Sequence, residues 1–238
     1  MSFNQNYMQY EDGFRTYLNK TFLLMGSGLL VTALAAFGVL FSIMSGGIMY
    51  RFLTVSTLAP LLLCVIQLGV VIFLNAKLGS ISIATARVLF FVYAGITGVN
   101  IGSLAVYYGI TLMFVAFIFA GIMFFSCALI GYTTNVDLSR FSGLLMGGLI
   151  AVALLSIVSL FFSSIFYGMN MIVAYLGVFV FLGLTAWDVQ KLKKAYSMIS
   201  PGEMAEKYAV IGALELYLDF INLFMYVLRI LGNSRRRN

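Results

Sequence analysis

Three carboxylates near the end of the chain have the types and spacing to do chemistry. Glu215 and Asp219 lie four residues apart in "GALELYLDFINLF", inside an apolar run, and Asp188 stands in "TAWDVQKLK" shortly before it. On a helix, residues 215, 219, 222, 226 and 229 share one face, which reads Glu215, Asp219, Asn222, Tyr226 and Arg229. Nearly everything else from Gly212 to Leu231 is apolar. A polar stripe on a lipid-embedded helix faces protein or water, and ionisable groups there mark ion paths or proton relays. Two neighbouring carboxylates do not readily both ionise, so such a pair holds a proton near neutral pH. Carboxylate oxygen is also the preferred ligand of hard cations such as calcium. The competing reading of the stripe is structural, a set of interhelical hydrogen bonds.

The rest of the composition narrows the chemistry. The 238 residues include no histidine, which removes the usual metal ligand, general base and pH switch together. Rhomboid-like proteolysis is excluded on the same ground. A retinal protein needs a lysine within its last helix, but Lys207 stands at the entrance of this one. No glycine-rich phosphate loop occurs. Asp188 and Asp219 have the outline of an intramembrane aspartyl protease pair, but the Gly-x-Gly-Asp setting is missing: Asp219 follows "LYL". Cys64 and Cys127 both fall in apolar runs and read as small packing residues rather than a disulfide or metal pair.

The elements that must position these groups are membrane helices. The chain is 62% hydrophobic and 9% charged, far from the quarter charged of a soluble domain. Apolar windows run at about 21–44, 53–74, 88–107, 109–132, 141–162, 170–190 and 208–231. Each is long enough to cross a ~30 Å hydrocarbon core, and a lone segment in lipid satisfies its backbone only as a helix. The expected fold is therefore an all-α membrane protein, a single domain of seven transmembrane helices with a short polar N-terminal arm over 1–20. The polar first twenty residues and the long run after them do not suit a cleavable signal peptide. The interior stripe makes the last helix central.

Charge sets the topology. Basic residues gather in the N-terminal arm (Arg15, Lys20) and in the 2–3, 4–5 and 6–7 connections (Lys77, Arg87, Arg140, Lys191, Lys193, Lys194, Lys207). Arg51 alone marks the 1–2 loop. This bias puts the N-terminus and the even-numbered loops in the cytoplasm. Arg235, Arg236 and Arg237 run against seven full spans, so segment 7 either crosses despite its tail or returns. The net charge of +6 is a topology signal, not a nucleic-acid footprint. "SPGE" predicts a capped start for the last helix, with Ser200 as N-cap, Pro201 first and Glu203 third. Arg87 has two readings, snorkelling to the surface or turning inward to meet an acid. Tyr93, Thr97, Asn100 and Ser103 in segment 3, with Gln67 in segment 2, read mainly as the polar glue of packed helices.

The runs "GALELYLDFINLFMYVLRILG", "TAWDVQKLK" and "FFVYAGITGVNIGS" resemble the Bax inhibitor-1 family, the transmembrane Bax-inhibitor-motif proteins, over nearly the whole chain. The short N-terminal arm resembles the bacterial members, which places the chain in a bacterial inner membrane. The resemblance implies a seven-helix bundle around its last helix, and a calcium leak gated by pH. It implies that Asp188 and Asp219 share the gating proton and are candidate calcium ligands, with no resident cofactor and no enzymatic activity. Glu215, Asn222, Arg87 and Asn100 are candidate supporting or ion-pathway residues. Where some members carry an acid in segment 2 this chain has Gln67, and Lys77 stands where the bacterial pattern has an arginine, so no arginine is carried over. The expected partners are the bilayer, calcium and other membrane proteins. A reading from another class is a non-conducting regulatory protein that binds membrane partners. Geometry sets one condition for the shared proton: with segment 6 ending near Gln190 and segment 7 entering after Lys207, Asp219 is ~18 Å deep while Asp188 is shallow.

Overall fold

A computed structural model of the protein describes residues 3–47, 58–77, 80–161, 169–198 and 202–237. Among the described residues seven α-helices follow one another: α1 (Phe3–Met44), α2 (Leu58–Lys77), α3 (Ile83–Tyr108), α4 (Ile110–Thr133), α5 (Ser142–Phe161), α6 (Met169–Met198) and α7 (Glu203–Arg237). A short 3₁₀ helix, η1 (Leu138–Phe141), precedes α5. No strand occurs among the described residues. Among the described residues six helices are long and apolar enough to cross a membrane, and the apolar part of α2 is shorter, Leu62–Lys77. This is an integral membrane protein, helical because only helices and closed barrels satisfy the backbone in hydrocarbon.

Several boundaries move outward from the apolar windows. The polar arm is helical from Phe3 and continuous with the first span. The charged end of segment 6 also stays helical, through Met198, so Asp188 lies ten residues inside α6 (198 − 188), ~15 Å from its end. Hydropathy marks where lipid-compatible sequence stops; the backbone keeps its helical hydrogen bonds past that point. The predicted Ser200–Pro201 cap and residues 53–57 of the second window lie outside the described residues.

The chain forms two compact units, Met1–Gly109 with Tyr196–Tyr217, and Ile110–Ala195 with Leu218–Asn238. In the first, α1 and α3 pack at backbone distance. A Cβ on Gly98 would collide with the Thr32 carbonyl, and one on Gly102 would sit 2.7 Å from Ala36 O. The sequence Gly98-Val-Asn-Ile-Gly102 is a GxxxG face, the pattern that lets membrane helices touch closely. In the second, Gly131 of α4 meets the Ala186 carbonyl of α6, again with no room for a Cβ. Phe220 packs edge-on against Phe117 (5.2 Å) and Phe124 (5.6 Å), and Tyr226 stacks on Phe181 at 5.9 Å.

Burial differs sharply between helices. Of the best apolar window in α7, 67% is buried, against 6% for the span that includes α5. The outer residues of α5, among them Leu144, Ile150 and Leu154, are exposed and offer an all-apolar surface suited to lipid.

Candidate functional site

Asp188 and Asp219 belong to the same compact unit, one on α6 and the other on α7. Both are buried, at 7% and 4% exposure. Taking a carboxylate out of water costs several kcal/mol unless charge or hydrogen bonds compensate. Asp188 has a counter-charge one turn along its own helix, with Lys191 Nζ 3.0 Å from its Oδ1. That ammonium also lies 5.2 Å above the Trp187 ring, which holds the flexible side chain beside the acid. The question of which base stands by the aspartates is thus answered for Asp188 by Lys191, a residue that the charge count treats only as a topology marker.

α6 is fixed at this level from its other side. Gly131 seats the backbone of Ala186, two residues before Asp188. Two residues after it, the buried Gln190 reaches the connection between α4 and η1. Its Oε1 accepts from the Leu138 N–H at 2.8 Å and its Nε2 donates to the Val136 carbonyl at 2.7 Å. One turn on, Lys194 Nζ meets Asp137 Oδ1 at 2.5 Å. Asp137 also caps η1 by accepting from Ser139 N at 3.1 Å. The Lys194 ammonium and these hydrogen bonds hold the exposed Asp137 carboxyl well below the usual carboxylate range. Lys193 completes the group, 5.6 Å over the Tyr132 ring.

The other candidates have different surroundings. Asn222 is half-buried and donates to the Leu218 carbonyl of its own helix at 2.8 Å. Arg229 lies 5.6 Å from the Tyr226 ring. Glu215 falls in the first unit, half-buried, within electrostatic reach of Tyr17. The Tyr17 hydroxyl is itself buried and makes no hydrogen bond among the described residues. So the single stripe of α7 serves two surroundings, Glu215 in one unit and Asp219, Asn222 and Arg229 in the other.

Arg87 meets an acid, as one of its two readings expects, but does so while exposed. Its Nη2 is 3.1 Å from Glu206 Oε2, while Lys20 Nζ is 3.2 Å from Glu206 Oε1. Glu206 thus joins α1, α3 and α7, a role that no local pattern announces. Asn100 donates to Gln67 Oε1 at 3.0 Å, and Gln67 Nε2 donates to Thr97 Oγ1 at 2.7 Å. Thr97 is also within reach of the Tyr217 hydroxyl. That hydroxyl sits 2.5 Å from Thr32 Oγ1. The Thr32 proton is directed at the Gly28 and Ala94 carbonyls, both 3.0 Å away, so Tyr217 is the donor to Thr32. Four helices are joined by neutral groups alone. The residues that sequence reasoning missed here are Thr32 and Tyr217, ordinary in type and distinctive only in where they meet.

The family described as "Inhibitor of apoptosis-promoting Bax1" matches residues 14–236. This chain belongs to the Bax inhibitor-1 family. It is similar to "Inner membrane protein YbhL" of Escherichia coli, 37% identical over 225 residues, 94% of each protein. "Uncharacterized protein RP147" of Rickettsia prowazekii is 34% identical over 228 residues, 95% of this chain and 93% of that one. An uncharacterized membrane protein of Streptococcus pyogenes is 29% identical over 231 residues, 96% of this chain and 97% of that one. The Bax inhibitor-1 match spans both compact units and takes in Asp188 and Asp219.

Proposed function

We propose that this protein is a pH-sensitive calcium leak channel of a bacterial inner membrane, gated by a proton that Asp188 and Asp219 share. One observation carries this reading: two buried carboxylates stand on α6 and α7 within one compact unit of a membrane protein that has no histidine. Calcium and protons compete for the same carboxylate oxygens, so a rise in pH that removes the shared proton exposes charge for the cation. Lys191 supplies a counter-charge to Asp188.

Seven spans complete the proposed architecture, with α2 as the seventh, the N-terminus in the cytoplasm and α7 as the inner wall of the bundle. The lysine and arginine bias supports the orientation, and the 67% burial of the best apolar window in α7 supports its interior position. Calcium is cargo, and the activity is transport rather than catalysis.

The test is calcium flux through pure protein in liposomes between about pH 6 and 8, on either side of neutral. The wild type is expected to conduct with a pH-dependent rate, and Asp188→Asn and Asp219→Asn to lose that dependence. An Asp219→Asn channel with an intact pH response would remove the assignment. Absence of flux together with a stable co-purifying membrane protein would instead establish the regulatory, partner-binding reading.

A further inference from the structure

We infer that Gln190, through the α4–η1 connection, is the positioning residue of the Asp188 switch: its amide clasps Val136 and Leu138 and thereby sets where on α6 the carboxylate is presented. The inference rests on the gating role proposed for Asp188 and adds to it a part of the molecule distant from that role in sequence.

Four observations converge on it. A glutamine amide buried to 7% exposure is costly unless both of its ends are bonded, and both are. Its two partners are main-chain groups two residues apart, so the amide completes the backbone of the connection as a strand neighbour would. A side chain that flexes cannot satisfy both at once, which makes the clasp a rigid one. Gly131 holds the α6 backbone at Ala186, and the clasp holds it at Gln190. Asp188 is the midpoint of that four-residue interval, less than ~4 Å of helix rise from either anchor. Outside the clasp, the exposed Lys194–Asp137 pair adds a weaker, solvent-screened tie in the same direction.

The groups of α6 divide by face accordingly. Gln190 and Lys194, one turn apart, hold the connection. Trp187, Asp188 and Lys191, also one turn, make the ion pair with its ring. Any motion that changes the environment of Asp188 by sliding or rotating α6 must stretch the two amide bonds or carry residues 134–138 along. The connection is therefore part of the switch, although none of its residues is a gating carboxylate.

Two variants attack the clasp from opposite sides. Gln190→Met keeps length and removes both bonds from α6. Leu138→Pro removes only the donated N–H; residue 138 is the first of η1, where proline is tolerated, and Asp137 before it is already extended (φ −74°, ψ 97°). Backbone hydrogen exchange across 133–141 reads the clasp without reference to flux. Gln190→Met is expected to speed exchange at Leu138 about tenfold. Calcium flux then reads the consequence: both variants shift the pH midpoint by about half a unit or more in the same direction. Faster exchange with an unmoved midpoint would overturn the positioning role, and so would unchanged exchange. If the wild type carries no flux, the gating reading fails by itself. The same variants are then compared by infrared difference spectra of the carboxyl bands, assigned with Asp188→Asn. A moved Asp188 band supports the positioning role, and an unmoved one ends it.

Discussion

The two compact units treat buried polarity in opposite ways. In the first, a neutral network crosses the span, with Thr32, Gln67, Thr97, Asn100 and Tyr217 bonded to one another across four helices, while the buried Lys207 pairs with the exposed Glu203 at 3.0 Å and Glu215 is half-buried. Its ion pairs at Glu206 are partly exposed at one end, with Lys20 and Arg87 about half in water. In the second, two acids are buried inside the spans, and the lysines and glutamine of α6 gather around the level of one of them. Neutral networks hold a fold without responding to pH, whereas buried acids respond to it because their ionised forms are costly. Under the gating proposed for Asp188 and Asp219, the switching acids fall in the second unit.

Four substitutions would break or sharpen that contrast. The largest effect is expected from Gly98→Leu, which drives a side chain into the Thr32 carbonyl and Ala35. A loss of about 3 kcal/mol or more, the upper end for overpacking, should appear as a collapsed thermal midpoint in detergent. Gly121→Ala, where a Cβ meets nothing within 4 Å, is the neutral comparison. Next, Asp219→Asn is expected to change stability much less than it changes pH response, and unfolding curves recorded beside flux would show it. An Asp219→Asn protein that loses its fold as Gly98→Leu does would make the acid structural and erase the contrast. Tyr217→Phe keeps the rings against Phe90 and Tyr93 but removes the bond to Thr32, for a cost of about 1 kcal/mol. Its flux should keep the wild-type pH midpoint; a moved midpoint would draw the first unit into the switch.

The smallest effect belongs to Lys194→Gln, and its pH dependence has a definite sign. Asp137 is depressed in the folded protein, chiefly by its hydrogen bond from Lys194. The stabilisation is present above the ordinary carboxylate range and fades as pH falls through that range toward the depressed value. Both side chains are near half exposed, so water screens the pair. Lys194→Gln should therefore be slightly less stable at neutral pH, and the difference should shrink as pH falls through the carboxylate range, as pH-dependent unfolding curves would show. A large loss at neutral pH would mean that the outer tie, not Gln190, is the main hold on the connection.

Much of this was readable from the chain. Apolar windows located the core of each α-helix among the described residues because lipid forbids any other backbone. The absence of histidine and the rarity of charge singled out Asp188, Glu215 and Asp219, and the family resemblance paired Asp188 with Asp219. The Gly98–Gly102 pattern was also present as a signal for close packing, although its partner was not. Harder to read were groups of common type whose partners are distant: Arg87 with Glu206, 119 positions on, Thr32 with Tyr217, 185 on, and Gln190 with Leu138, 52 back. No periodicity reports such a meeting, since period describes one helix against a uniform surrounding.

By itself, then, the sequence determined that the protein lies in a membrane, that its elements are helices, and which acids are too costly to be incidental. These follow from transfer energies and backbone hydrogen bonding, which act residue by residue. Only the tertiary structure decided which helices touch at glycine, that Glu215 and Asp219 share a stripe but not a unit, and that Lys191 and Gln190 flank the Asp188 level. Those outcomes depend on pairings between distant segments. Many such pairings bury similar area, and complementary packing selects among them.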